Sequence, residues 1–144
     1  MSTKPIALAA DHAGYELKTA LAEELRSMGH EILDLGTDGP GSVDYPDCGK
    51  ALAESIASGQ AERGVAICGT GIGISIAVNR HPGVRAALCH DETSARLARE
   101  HNDANVLALG ARLIGTEVAK GCLRTFLETE FAGGRHVARV AKLG

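Results

Sequence analysis

Short apolar runs alternate with segments of helical period along almost the whole chain, and no other feature restricts its fold so closely. The runs lie at 5–10 (PIALAA), 31–35 (EILDL), 65–68, 84–89 and 106–109. After the first run, Leu17, Leu21, Leu25 and Met28 step by four, four and three, the period of an amphipathic helix, and Gly29 stops it. Ala51, Leu52, Ser55 and Ile56 mark another helix, and helical segments follow around 71–79, 91–100 and 115–129. A last segment, 135–143, carries Val137, Val140 and Ala141 and predicts a short terminal helix. Strands separated by helices imply βαβ units and a parallel sheet covered on both faces. The expectation is one α/β domain over 1–144: a three-layer α/β/α sandwich with a Rossmann-like parallel sheet of about five strands. The stretch 36–47, rich in Gly, Asp and Pro, reads as a functional loop rather than a linker.

Composition narrows the partners. With 44% apolar residues, 3% aromatics and no tryptophan in 144 residues, the core must be built from Ala, Val, Ile and Leu. A net charge of −3 gives no basic field for nucleic acid or an anionic membrane, although a local anion site is compatible with it. Four cysteines stand at 48, 68, 89 and 122, with no CxxC pair and no His/Cys cluster at zinc-ligand spacing, so no metal site is expected. At least three of them read as isolated thiols in a reducing compartment. Neither an N-terminal apolar h-region nor a run long enough to span a bilayer is evident, and the cytoplasm is the expected location.

In such sheets ligands sit beyond the carboxyl ends of the strands. Those ends carry Asp11-His12, Cys68-Gly69-Thr70, Cys89-His90 and Gly110-Ala111-Arg112. The third opens into VAICGTGIGIS (65–75), a glycine-rich loop after a strand. A dinucleotide fingerprint would need its third glycine at position six, where Ile74 stands, and an acidic residue about 20 positions further on, which falls in an apolar strand. The phosphate-loop pattern fails too, since no Gly-Lys-Ser/Thr follows. What the loop offers is a row of backbone N–H groups suited to an oxyanion or anion, with Cys68 just before it. A thiolate there would attack as a nucleophile or take a proton as a base; the alternative is an inert buried cysteine at a strand end.

Three further groups carry chemistry. Asp11-His12 pairs a carboxylate with an imidazole. His101-Asn102-Asp103 lies between a helix and the fifth strand, with an imidazole that titrates near neutrality or, alternatively, an ordinary surface histidine. Arg135 and Arg139, four apart in GGRHVARV, offer two guanidinium forks matched to a phosphate, or simply a solvated basic face.

Taken together, AADHAGYELK (9–18), DYPD (44–47), ICGTGIGISIAVN (67–79), REHNDANVLALGAR (99–112) and GGRHVARV (133–140) closely resemble the type B ribose-5-phosphate isomerase family, which also contains galactose-6-phosphate isomerase subunits. The motifs span nearly the whole chain in order. The resemblance implies a cofactor-free aldose–ketose isomerisation through an enediolate. On it, Cys68 is the base that moves a proton between C2 and C1; some relatives use a glutamate further along the loop, where this chain has Ile74-Ser75. Thr70 and the N–H groups of Gly69, Thr70, Gly71, Ile72 and Gly73 would hold the enediolate oxygens. His101 would open the furanose ring, with Asp11 as a second proton-handling or hydroxyl-binding group. His12, Arg112, Arg135 and Arg139 would bind the phosphate, and Asn102 a sugar hydroxyl. The resemblance also implies a homodimer, or a dimer of dimers, with the site at the subunit interface and the C-terminal segment 131–144 against the partner. Two alternatives stand beside it: the same chemistry on a six-carbon sugar phosphate such as allose 6-phosphate or galactose 6-phosphate, and a non-catalytic sugar-phosphate-binding subunit.

Overall fold

In a computed structural model, residues 3–144 are described. Five strands, β1 (Ile6–Ala10), β2 (Ile32–Asp34), β3 (Arg63–Cys68), β4 (Ala86–Leu88) and β5 (Val106–Gly110), form one sheet in the order β2-β1-β3-β5-β4. Every pairing is parallel, with Ala10 opposite Ile67 and Cys68 opposite Gly110 at the carboxyl edge. The expected α/β/α sandwich is the observed one. Its helices are α1 (Tyr15–Ser27), α2 (Tyr45–Ala57), α3 (Ile72–Val78), α4 (Glu92–Asn102), α5 (Thr116–Glu128) and α6 (His136–Ala141).

Strand alternation sorts the core into two layers. Ile6, Leu8, Val65, Ile67, Leu107 and Leu109 meet Leu21 and Leu25 of α1, Ala95 of α4 and Leu123 and Phe126 of α5. The opposite parity, Ala7, Ala9, Ala66 and Cys68, meets Leu52 of α2 and Ile74 and Val78 of α3. Small side chains make this second face thin: a Cβ added to Gly64 would stand 3.1 Å from Leu52. Cys68 thus inherits its direction from strand parity. Its sulfur lies on the α2–α3 side, where the glycine-rich segment turns.

Where the elements differ from the sequence-based bounds, a local cause is visible. The fourth strand keeps only 86–88 of the expected 84–89, because Arg85 N–H donates to the Asn105 side chain and Val84 N–H to His81 O instead of to the sheet ladder. The 36–47 loop ends earlier than expected, as Tyr45 and Pro46 already form the first turn of α2, where proline's missing N–H costs nothing. The terminal helix is confined to 136–141. No helix among the described residues is long and apolar enough to cross a membrane.

Candidate active site

The carboxyl edge gathers a first group of side chains. Asp11 follows β1, is 6% exposed, and accepts a hydrogen bond from Gly14 N–H at 3.2 Å, while its own N–H donates to Ile67 O of β3. His12 accepts Val43 N–H on Nδ1 at 3.2 Å. That bond also ties the 36–44 loop to the end of β1.

Cys68 ends β3 and is 4% exposed. Gly71 N–H donates to its sulfur at 3.2 Å, so a backbone dipole meets Sγ where a thiolate would carry charge. The turn is possible only with glycine. Gly71 has φ +76°, and a Cβ there would come 2.5 Å from Leu88 Cδ1 and 2.8 Å from the Leu109 carbonyl carbon. Thr70 Oγ1 accepts Ile72 N–H at 3.2 Å. Two of the five amides expected to face a ligand, Gly71 and Ile72, therefore serve the loop itself. On one flank Arg112 lies against Gly69, its N–H bonded to Gly69 O at 2.9 Å and its side chain exposed. On the other, the Tyr45 ring rests on Gly73, so close that a Cβ there would meet it at 2.6 Å.

The other three cysteines have different surroundings. Burial, with Asp11 and Asp47 nearby, pushes the Cys48 thiol up; burial pushes up Cys89, and takes Cys122 to about 11. These three stay protonated thiols at neutral pH, as expected of isolated cysteines.

A second group sits at the opposite edge. After β4, α4 starts at the carboxyl edge and runs back; its 11 residues rise about 16 Å. His101 and Asn102, in its last turn, therefore lie by the start of β5 and not between helix and strand as expected. Side chains hold this turn. Arg99, 4% exposed, donates to Asp103 Oδ1 at 2.8 Å, Ala104 O at 2.7 Å and Thr129 O at 3.1 Å. Arg85 donates to Asn102 O at 3.2 Å and to Asp103 O at 2.9 Å. Both arginines satisfy carbonyls that the helix end leaves unpaired. Ala132 N–H bonds Glu100 O at 3.0 Å and brings α6 alongside, where the His136 ring stacks on His101 with centroids 4.5 Å apart and planes 16° from parallel. Arg135 precedes α6 and Arg139 lies in its last turn, both exposed.

The candidate residues thus fall into two sets within one chain. Asp11, His12, Cys68, Gly69, Thr70, Gly71, Ile72, Gly73 and Arg112 share the carboxyl edge, whereas His101, Asn102, Arg135 and Arg139 share the amino edge. Asp11 stands beside Cys68 and is remote from His101. A cavity of about 500 Å³ lies by Asn79, Arg85 and Asn102 at the amino edge, and one of about 350 Å³ lies by Tyr45, Gly73 and Ile76; Cys68 lines neither. Sequence reasoning passed over Tyr45 and His136, although both lie inside quoted motifs and Tyr45 is one of only four aromatic Phe or Tyr residues. It gave Arg85 and Arg99 no role either, for nothing in their spacing marks them.

Comparison with known proteins places the chain in a family. The family model described as Ribose/Galactose Isomerase matches residues 6–143. A solved ribose-5-phosphate isomerase B from Clostridium thermocellum is 52% identical, with a TM-score of 0.96 over 97% of this chain and 95% of that one. A ribose 5-phosphate isomerase from Thermotoga maritima is 51% identical, with a TM-score of 0.95 over 97% of each chain. Ribose-5-phosphate isomerase B of Escherichia coli is 44% identical over 95% of this chain and 92% of its own length. With a matching family model over nearly its full length and relatives this similar in sequence and backbone, the chain belongs to the ribose/galactose isomerase family and is an isomerase.

Proposed function

We propose that the chain interconverts ribose 5-phosphate and ribulose 5-phosphate, a step of pentose phosphate metabolism, with Cys68 as the base. The observation that carries this reading is the Cys68 sulfur held under Gly71 N–H at the sheet edge that also carries Asp11, His12 and Arg112. Once the sugar is open, the Cys68 thiolate takes the C2 proton of the aldose and negative charge moves onto the adjacent oxygen. Thr70 and the loop amides not used by the loop itself stabilise that charge. A proton passes from the C2 hydroxyl to the C1 oxygen, and as an oxygen lone pair closes the C2 carbonyl the enediolate's C=C electron pair takes the proton back from the Cys68 thiol at C1. One base serves both carbons from the same face of the sugar.

Ring opening and full phosphate binding need groups that one chain keeps at its far edge. A second copy supplies them: His101 to open the ring, Asn102 to hold a hydroxyl, and Arg135 and Arg139 to join His12 and Arg112 on the phosphate. Exposed Val43, Tyr45, Ile72 and Ile76 ring the glycine loop and offer an apolar seat for that copy, against which segment 131–144 would pack. A reducing cytoplasm suits a mechanism that depends on a free thiol.

Mixing two dead variants tests both parts. Cys68→Ala and His101→Asn each lose ribose 5-phosphate turnover alone. Random reassociation of a two-fold dimer makes half the dimers mixed, each with one intact site, and restores about a quarter of wild-type activity. No recovery at any ratio after unfolding and refolding together would sink the shared site. Near-normal kcat in Cys68→Ala would remove the proposed base.

A further inference from the structure

We propose that His136 is a positioning residue for His101, its ring fixing by face-to-face stacking the orientation of the imidazole that opens the sugar. The proposal rests on the role given to His101 above. A catalytic imidazole is ordinarily oriented by a hydrogen bond to its second nitrogen. The His101 side chain has no such bond among the described residues, although Arg85 and Arg99 hold the three residues that follow it, Asn102, Asp103 and Ala104. What its ring does have is the His136 ring, 4.5 Å away and 16° from parallel.

The rest of α6 serves that contact. A helix of six residues has little stability of its own. It is held by the Ala132–Glu100 backbone bond and by the turn that follows Thr129, whose carbonyl Arg99 takes. Arg135 directly before α6 and Arg139 within it flank His136 in sequence, so the docking of α6 brings the backbone of both beside the stack. The charge distribution fits as well. Partial burial and the cations nearby, His101, Arg135 and Arg139, push His136 below the ordinary histidine value, against an opposing pull from Glu100. That lowering favours the neutral form of His136, whose ring face is the one His101 lies on.

A split between two assays on the same enzyme separates positioning from binding. Ribose 5-phosphate is mostly cyclic and must be opened. Ribulose 5-phosphate has its only ring-closing oxygen phosphorylated and is open already, so exchange of its C1 proton for deuterium in D2O needs Cys68 but no ring opening. His136→Ala is expected to lower kcat on ribose 5-phosphate about tenfold and to change the exchange rate less than about twofold. His136→Phe, which keeps a flat ring at the same place, is expected to recover most of the lost turnover. Equal losses in both assays would make His136 a binding residue, and no loss in either would make the stack irrelevant; each overturns the proposal. Controls isolate the underlying reading. His101→Asn must show the same split more deeply, and Cys68→Ala must lose both rates. If His101→Asn shows no split, the role of His101 fails; if it does and His136→Ala does not, only the stack fails. His136 lies on the outside of the sandwich, and the Phe variant covers the case in which alanine loosens α6.

Discussion

The two edges of the sheet are fixed in opposite ways. At the carboxyl edge the backbone itself is the tool: Cys68 is aimed by strand parity, and Gly71 passes so close to Leu88 and Leu109 that no side chain fits. At the amino edge long side chains do the holding, with Arg99 and Arg85 gripping the end of α4, where Asp103 takes a left-handed φ of +46°, and two histidine rings stacked beyond them. On the proposed mechanism the contrast teaches that the backbone fixes the place where a carbon-bound proton would move. Where a phosphate and a hydroxyl would be gripped, exposed side chains are left to settle in more than one way.

This contrast can be broken most severely at Gly71. Gly71→Ala would strain a φ of +76° and force a methyl group into the Leu109–Gly110 backbone, at a cost of about 2–4 kcal/mol of stability. Urea denaturation should show the lower midpoint, and isomerase activity should fall with it, because the donor to Sγ moves. An unchanged midpoint and full activity would mean that the carboxyl edge is as pliable as the other.

A smaller effect is expected at the amino edge, and of a different kind. Arg139→Ala removes one exposed guanidinium that no hydrogen bond or ion pair holds among the described residues, so stability should stay within about 0.5 kcal/mol of wild type. KM for ribose 5-phosphate should rise about tenfold or more while kcat is kept, as for lost uniform binding. A fall in kcat at unchanged KM would contradict the division between grip and chemistry.

The slightest effect concerns pH. His136 is held below the ordinary histidine value in the folded chain, so on acidification the unfolded chain takes up this proton first. Stability attached to this group is intact above the unfolded-state pKa of about 6.5 and is lost as pH falls below it. Urea midpoints at neutral pH and near pH 5.5 should therefore differ slightly less in His136→Asn than in wild type. A larger difference in the variant would reverse the sign assigned here.

Much of this was legible in the residues alone, and for a reason. Buried parallel strands write themselves as short apolar runs, so all five were found and their carboxyl ends supplied Asp11, His12, Cys68 and Arg112 in advance. The separation of His101 from Cys68 was legible in principle, since a crossover helix must return to the amino edge, and a residue in its last turn goes with it. The His101–His136 stack was not. It depends on how a six-residue helix docks after a glycine-rich turn, and neither segment carries a periodic signal. The fit of Tyr45 to Gly73 was hidden in the same way, because it joins two segments through space and not through spacing.

The parallel pairing of every strand has a consequence for how the chain reaches this state. No two neighbouring strands are joined by a hairpin: Ile6 finds Arg63, and Gly64 finds Val106, only after whole helices have been looped out. Loop-closure entropy is therefore spent before the central strands can hold one another, and folding should be slow for a chain of this length. During that interval the central strands, apolar on both faces, are the segments most exposed to wrong partners. Once folded, the danger passes to the outermost strands, and these are the shortest in the sheet: β2 and β4 have three residues each, too few to template another chain.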